Sequence, residues 1–369
     1  MTVRLGALDG LRGIAILQVL WYHVWLVGRF QVPWAWLQFV PATGLFGVHL
    51  FFFLSGFVIV YPYVRANASA EPEPTWAHFA WRRFVKIVPS YAISIAIAYA
   101  TGFFLIEQTH ATVFEDLITH ALFIHTWFPQ TAGTINGVLW TLAVEVQFYL
   151  LFPVVWWFFK RGPVATTAAL AALGWISRSY GWHGVPASVT SALAINLPTY
   201  IDLFGFGMFS AWCFVRFGHR LRSGRLRFLM PAVALTGGVM FVITLIGFSR
   251  GQQLWHAVPL LQTREVLGIA FMALALGALC SPPMFGVVLS NPLLSFVALI
   301  SYNLYLYNWI IAHELQHLHW TPPAFTVAAF ALSIAFATLV TYLVERPLLR
   351  LPVPTLRSRR LDPVTRTEA

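Results

Sequence analysis

Apolar runs of about twenty residues recur along almost the whole of this 369-residue chain. A helix needs about 20 mostly apolar residues to cross a bilayer, so these runs predict membrane spans. The composition agrees: 59% of the residues are hydrophobic and only 10% are charged, against about 25% charged residues in soluble domains. We therefore predict an all-α integral membrane protein with about ten transmembrane helices. The predicted spans are 10–30, 44–64, 89–107, 139–159, 163–180, 198–216, 229–248, 264–281, 294–315 and 323–345.

The basic residues predict the orientation of these spans, because cytoplasmic loops carry an excess of Lys and Arg. If the N-terminus is cytoplasmic and the short apolar run at 115–128 does not cross, all but four of the 23 basic residues lie inside. If that run crosses, the basic stretches at 160–162 and 216–227 lie outside. We therefore predict two cytoplasmic termini and a re-entrant or interfacial segment at 115–128.

The net charge of +10 would suggest a nucleic-acid partner in a soluble protein. Here the basic cytoplasmic loops account for it, so we expect membrane lipids and no nucleic acid as partners. The membrane domain is expected to cover residues 1–346. Residues 347–369 are expected to form a short basic cytoplasmic tail.

The first predicted span carries two ionisable residues, Arg12 and His23, in the sequence LDGLRGIAILQVLWYH. Ionisable residues inside spans are functional candidates by default. At about 100° and 1.5 Å per residue, both lie on one helix face, about 16 Å apart along the axis. Arg12 is expected near the cytoplasmic mouth and His23 in the outer half. A snorkelling arginine and a histidine bonded between helices would fit the spacing equally well.

Other polar residues are predicted near the depth of His23. Glu145 lies in the fourth span, and we predict that it pairs with the imidazole and raises its basicity. A lone protonated Glu145 bonded to a neighbouring helix is the alternative. In the ninth span, SYNLYLYNW carries Tyr302, Tyr305 and Asn308, which are candidate oxyanion or acceptor contacts. Packing is the alternative for the two tyrosines.

A basic cluster, consisting of Arg82, Arg83 and Lys86, lies in WAHFAWRRFVK. This stretch, 76–86, is predicted to form an amphipathic interfacial helix before the third span. The three-residue spacing puts Arg83 and Lys86 on one face. Such a cluster usually marks only topology and lipid headgroups, but it also suits a polyphosphorylated ligand.

The stretch HELQH matches the zinc-protease pattern H-E-x-x-H. This pattern would assign His313 and His317 to the metal and Glu314 to the base. However, the motif lies at the predicted outer interface, and no suitable acidic ligand follows at that depth. An intramembrane zinc protease is therefore a minor alternative, and we expect no metal.

Four motifs, in order along nearly the whole chain, together resemble the acyltransferase-3 family of integral membrane acyltransferases. They are the arginine–ten residues–histidine opening at 8–23, GVHLFFFLSGFVI at 47–59, WTLAVEVQFYLLFP at 140–153, and the closing pair SYNLYLYNW and VERP. Some relatives carry a fused hydrolase-like domain. Only 23 residues follow Arg346, so a stand-alone membrane domain is expected.

The resemblance implies an enzyme that moves an acyl group, commonly acetyl, from cytoplasmic acyl-CoA to a hydroxyl at the other membrane face. It implies a carbohydrate or glycolipid acceptor and a location in the bacterial inner membrane. His23 would be the catalytic histidine, as base or acyl carrier, and Arg12 its motif partner. Glu145 and Tyr149 belong to the family signature.

Two positions depart from the family pattern. The family's cytoplasmic arginine pair corresponds to Arg83 and Lys86, and lysine keeps the charge but loses the bidentate fork. Asn308 stands where histidine is frequent. A secondary transporter or flippase without covalent chemistry is the alternative class, because polar groups near the midplane of ten spans also fit it. Transporters usually show internal repeats, and none is visible in this sequence.

Overall fold

The computed structural model describes residues 5–30, 32, 34–103, 111–180, 194–254 and 258–353. These residues form helices and turns without a β-strand, so the all-α prediction is confirmed. The principal helices are α1 (Gly6–Gly28), α2 (Phe46–Ser69), α3 (Trp76–Ala100), α4 (Val113–Ala121), α5 (Trp140–Phe159), α6 (Pro163–Tyr180), α7 (Ile201–Leu221), α8 (Met230–Leu254), α9 (Val258–Cys280), α10 (Pro292–Gln316) and α11 (Pro322–Val340).

Each of the ten predicted spans coincides with one long helix. Eight helices in the described part of the chain are long and apolar enough to cross a membrane. The remaining two, α6 and α9, do not meet the same criteria within the described residues. The count of ten spans and the cytoplasmic position of both termini therefore stay predictions. Most of the predicted tail, from residue 354 onward, lies outside the described residues.

The start of α3 corrects one prediction. The sequence suggested an interfacial helix at 76–86 separate from a span beginning at residue 89, but the structure joins both in one helix of 25 residues. Thr75 caps this helix, because its side chain accepts a hydrogen bond of 3.2 Å from the backbone N–H of His78. The basic cluster consequently lies on the same continuous helix as the apolar residues that follow it.

The segment 115–128 forms the nine-residue helix α4 and a 3-10 turn at His125–Trp127. A capping box between Thr112 and Glu115 starts α4. The backbone N–H of Thr112 donates to the Glu115 carboxylate and so lowers the pKa of that group. Gln147 of α5 donates to the Phe123 carbonyl at 2.9 Å and ties the segment to the bundle. A helix of this length is too short to cross a bilayer, as predicted.

Helix α1 lies against both α2 and α10. Gly47 of α2 faces the backbone carbonyl of Ala15, where any Cβ would overlap. Small residues at such contacts let helix backbones approach closely in membrane proteins. The close packing of α1 fixes the position of its polar face relative to α2 and α10.

A buried ion network joins α6, α7 and α9 at the end predicted to face outside. Arg178 is 1% exposed and pairs with Asp202 at 2.7 Å and with Glu265. Arg178 and Arg264 also donate to the Thr199 carbonyl. The network thus connects α6, α7 and α9 through their buried side chains.

Breaking this network is expected to destabilise the bundle. Arg178→Met should lower the free energy of unfolding by about 3 kcal/mol, because the fully buried Asp202 carboxylate loses its closest cation. The double variant Arg178→Met/Asp202→Leu should be more stable than the single one, since the buried Asp202 carboxylate is removed together with its cation. Denaturation of the purified protein in detergent measures both. A double variant less stable than Arg178→Met would contradict this account.

Candidate active site

A partly open cavity of about 90 Å³ lies between α1, α2, α3, α5 and α10. We call it the central cavity. Seven predicted site residues from four of these helices line it, although they are far apart in the sequence. They are Arg12, Arg83, Lys86, Glu145, Tyr149, Tyr302 and Tyr305. The rest of its wall consists of Val48, Phe51, Phe52, Ile87, Thr141, Leu142 and Ser301.

Two arginines on this wall, Arg12 and Arg83, form no salt bridge with a carboxylate in the described part of the chain. The Arg12 guanidinium lies 6.0 Å from the ring centroid of Phe51, and that of Arg83 lies 5.1 Å from the ring centroid of Tyr149. An aromatic face attracts a guanidinium without cancelling its charge. A cavity wall with two such cations favours an anionic ligand.

The three residues of the basic cluster do not all line the central cavity. Arg82 is exposed, and its Nη1 donates to the Leu349 carbonyl at 2.6 Å, so it lies outside the cavity wall. Lys86 lies on the wall, but its ammonium pairs with Glu345 and sits 5.2 Å from the ring centroid of Tyr302. Consecutive residues on a helix point in different directions, which explains why Arg82 and Arg83 differ.

Glu145 does not pair with His23, so the predicted contact is wrong. Its Oε1 accepts a hydrogen bond of 2.6 Å from the Ser55 hydroxyl and another from the Tyr149 hydroxyl. Tyr149 lies one turn further along α5, where residues four apart share a face. Equal depth in the membrane does not determine the direction in which a side chain points around its helix. Glu145 faces the central cavity, whereas His23 faces α10.

His23 is held by Asn308 instead. The imidazole Nδ1 lies 2.6 Å from the Asn308 Oδ1. The Asn308 amide nitrogen donates to the carbonyls of Leu304, at 2.7 Å, and Tyr305, at 2.9 Å. Because the amide hydrogens are used there, Oδ1 accepts from the imidazole, and we assign the proton to Nδ1. Nε2 then carries the lone pair, and no described residue hydrogen-bonds to it.

Tyr305 lies between His23 and the central cavity. Its ring lines the cavity, and its centroid is 6.4 Å from that of the His23 ring. Its hydroxyl donates to the Val138 carbonyl at 3.1 Å and accepts from the Thr141 hydroxyl at 3.0 Å. The free nitrogen of His23 thus belongs to a residue just beyond the cavity wall, at the end opposite Arg12 along α1.

The HELQH motif lies at the end of α10. His313 contacts the Trp309 carbonyl at 3.3 Å and packs on the Trp309 ring. Within the described ranges, no group of three His, Cys, Asp or Glu residues could hold a metal ion. The motif therefore lacks a third ligand in this part of the chain.

Two residues of the site were missed from the sequence. Ser55 is the single hydroxyl residue in the apolar stretch GVHLFFFLSGFVI, which was the available signal. Glu345 precedes Arg346 at the end of the last predicted span, within the VERP motif. The structure buries it against Lys86.

The fold and the site together define a multi-span membrane protein with a cation-lined cavity inside its helix bundle. The acyltransferase-3 family model, described as an acyltransferase domain, matches residues 5–343, and the chain belongs to this family. The resemblance of the motifs is thereby confirmed. The protein is a membrane O-acyltransferase, and its reaction requires an acyl donor.

Similar proteins carry related names. Nodulation protein 10 of Rhizobium leguminosarum bv. viciae is 26% identical over 388 residues, which cover 96% of this chain and 95% of the relative. Acyltransferase MdmB of Streptomyces mycarofaciens is 33% identical over 169 residues, which cover 44% of this chain and 42% of the relative. SACOL0978 of Staphylococcus aureus (strain COL), provisionally named an O-acetyltransferase, is 22% identical, with 92% of this chain and 56% of the relative covered. No solved structure matches the chain.

Proposed function

We propose that the protein transfers an acyl group from cytoplasmic acyl-CoA to a hydroxyl of a carbohydrate or glycolipid at the other membrane face. Acetyl is the acyl group that we favour. One observation carries the proposal. The cavity contains two arginines without a salt bridge, Arg12 and Arg83, and it also contains Tyr305, whose ring lies next to that of His23. An anionic donor bound in the cavity would therefore lie close to a base inside the bundle.

The arginine end suits the phosphates of CoA. Guanidinium groups bind phosphate through paired, charge-assisted hydrogen bonds. The rise from Arg12 to His23 is about 16 Å, which is roughly the length of the pantetheine arm. With the phosphates at Arg12 and Arg83, the thioester would reach the Tyr305 end of the cavity.

At that end, His23 would act through Nε2. In direct transfer, Nε2 takes the proton from the acceptor hydroxyl, and the oxygen attacks the thioester carbonyl. The carbon–sulfur bond breaks, and the imidazolium returns the proton to the CoA thiolate. The Asn308 oxygen accepts from Nδ1–H throughout and stabilises the imidazolium. In the alternative route, Nε2 itself attacks the carbonyl, the carbon–sulfur bond breaks and the CoA thiolate leaves. The acceptor hydroxyl then attacks the acyl-imidazole, the carbon–nitrogen bond breaks, and the hydroxyl proton passes to the thiolate.

Esterified envelope carbohydrates provide the test of this function. Mass spectrometry of envelope glycans and glycolipids should show an acyl ester that is present in cells with the gene and lost in cells without it. Restoring the gene should restore the ester. Identical ester content in all three strains, in the glycan and the lipid fractions alike, would reject the proposal.

Asn308 is expected to act as a positioning residue. Asn308→Leu should lower kcat about tenfold and leave KM for acyl-CoA unchanged, because one neutral hydrogen bond to the imidazole is lost. Asn308→His should recover part of the loss, because a ring nitrogen can accept from Nδ1–H. Steady-state kinetics of the purified protein measure both parameters. A rise in KM with unchanged kcat in Asn308→Leu would contradict this role.

A further inference from the structure

The third cation of the central cavity, Lys86, is already compensated. Its ammonium pairs with Glu345, whose side chain is only 2% exposed. The other two wall cations, Arg12 and Arg83, have no ion-pair partner in the described ranges. Glu345 therefore reduces the positive charge that this end of the cavity presents to an anion.

The Glu345 carboxylate is itself held in place. Its Oε2 accepts a hydrogen bond of 2.9 Å from the Asn303 amide, and the same nitrogen donates to the Thr341 hydroxyl at 2.8 Å. Asn303 and Thr341 are fully buried. One oxygen of the carboxylate is bonded to Lys86 and the other to Asn303, so the carboxylate has a fixed orientation.

An irregular turn presents this carboxylate to the site. After α11 the chain forms a π-helical turn at Thr341–Glu345 and then a short α-helix at Arg346–Leu349. Single π turns inside α-helices recur at functional sites. Thr341 and Glu345 face inward from this turn, whereas Tyr342 and Leu343 are 44% and 66% exposed.

The neighbouring helix is attached at the same place. Arg82 of α3 donates to the carbonyl of Leu349, one turn beyond the π turn, and Lys86 of α3 pairs with Glu345. Two bonds, one turn apart on α3, thus fix the cavity wall to the end of the last helix. The Lys86–Glu345 ion pair is therefore held in place by both helices.

We propose that Glu345 is a positioning residue of the donor site, which holds the Lys86 ammonium on the cavity wall and pairs one of the three wall cations. This inference rests on the proposed function. Donor and product CoA carry the same phosphates, so an additional free cation would bind both more tightly. Tighter product binding slows release, and product release limits turnover in many enzymes. Compensation of Lys86 therefore favours turnover over affinity.

A double-mutant cycle on the pair tests the inference. Glu345→Gln keeps the size of the side chain and an acceptor for Lys86 but removes the negative charge. It should lower the dissociation constant of CoA about tenfold, as expected for one partly screened unit charge near phosphate, and should lower kcat.

Lys86→Met should weaken CoA binding, because the carboxylate is then unpaired. The double variant Lys86→Met/Glu345→Gln should bind CoA more tightly than Lys86→Met and less tightly than Glu345→Gln. Binding of labelled CoA to the purified full chain measures all four proteins.

Glu71→Gln is the matched control, because it is the same change at a carboxylate that is 58% exposed on the loop after α2. CoA binding and kcat should not change in it. Unchanged or weaker CoA binding in Glu345→Gln would overturn the inference. If Glu345→Gln does not fold, the remaining two variants provide the test. Equal affinities for CoA in Lys86→Met and in the double variant would then overturn the inference. Wild-type protein that does not bind CoA at all would instead reject the proposed function.

Discussion

His23→Ala is expected to abolish acyl transfer while leaving the protein folded in the membrane. The loss should be at least about 10³-fold in kcat, because the variant lacks the imidazole that would move the proton or carry the acyl group. The imidazole packs between Tyr305 and Trp309 at the surface of α1, and His23 is only partly buried, so its removal should cost little stability. Transfer of labelled acetyl to the acceptor measures the effect.

CoA binding separates a catalytic loss from a folding loss in this experiment. His23→Ala should bind CoA as wild type does, because the arginine end of the cavity is unchanged. His78→Ala is the matched control, since His78 is exposed at the start of α3, and it should keep full activity. Near-wild-type transfer by His23→Ala would remove His23 from the mechanism.

Arg83→Met is expected to raise KM for acyl-CoA about 10- to 100-fold with a much smaller change in kcat. A hydrogen bond to a charged group contributes about 1.5–3 kcal/mol, which is the origin of this range. Arg12→Met should behave in the same way, because its guanidinium lies on the same cavity wall. Initial rates against acyl-CoA concentration give KM and kcat for each variant.

Arg82→Met provides the sharpest comparison, because Arg82 precedes Arg83 in the chain but is exposed and bonded to the Leu349 carbonyl. We expect its KM to stay within about threefold of wild type, the effect of a surface charge. Equal increases in KM for Arg82→Met and Arg83→Met would show that the basic cluster acts only as a surface charge. The central cavity would then not be the donor site.

The sequence was sufficient for the helices and for half of the cavity wall. Apolar runs of bilayer length predicted all ten long helices, and polar residues within and beside these runs, together with the family resemblance, included seven residues of the wall. Hydropathy failed at the start of α3, because an amphipathic end and an apolar span can form one continuous helix. Composition alone does not show whether an amphipathic segment and the apolar span after it are one helix or two.

The partners within the site could not be predicted from the sequence. Axial depth can be calculated from residue number, and it placed His23, Glu145 and Asn308 at similar levels. The choice between Glu145 and Asn308 depends on how α1, α5 and α10 are rotated about their axes. Packing contacts set that rotation, such as Gly47 against the backbone of α1. Glu345 was missed for the same reason, since the π turn that directs it inward has no signature in the sequence.

The most direct test of acyl transfer is to follow the thioester and the acceptor together. Purified protein in lipid vesicles would receive acetyl-CoA labelled in the acetyl group and a carbohydrate acceptor fraction, and both the ester and the free CoA thiol would be measured. The account predicts one thiol released for each ester formed, with neither product in His23→Ala. Movement of the acceptor across the bilayer without release of thiol would contradict it and would indicate a transporter.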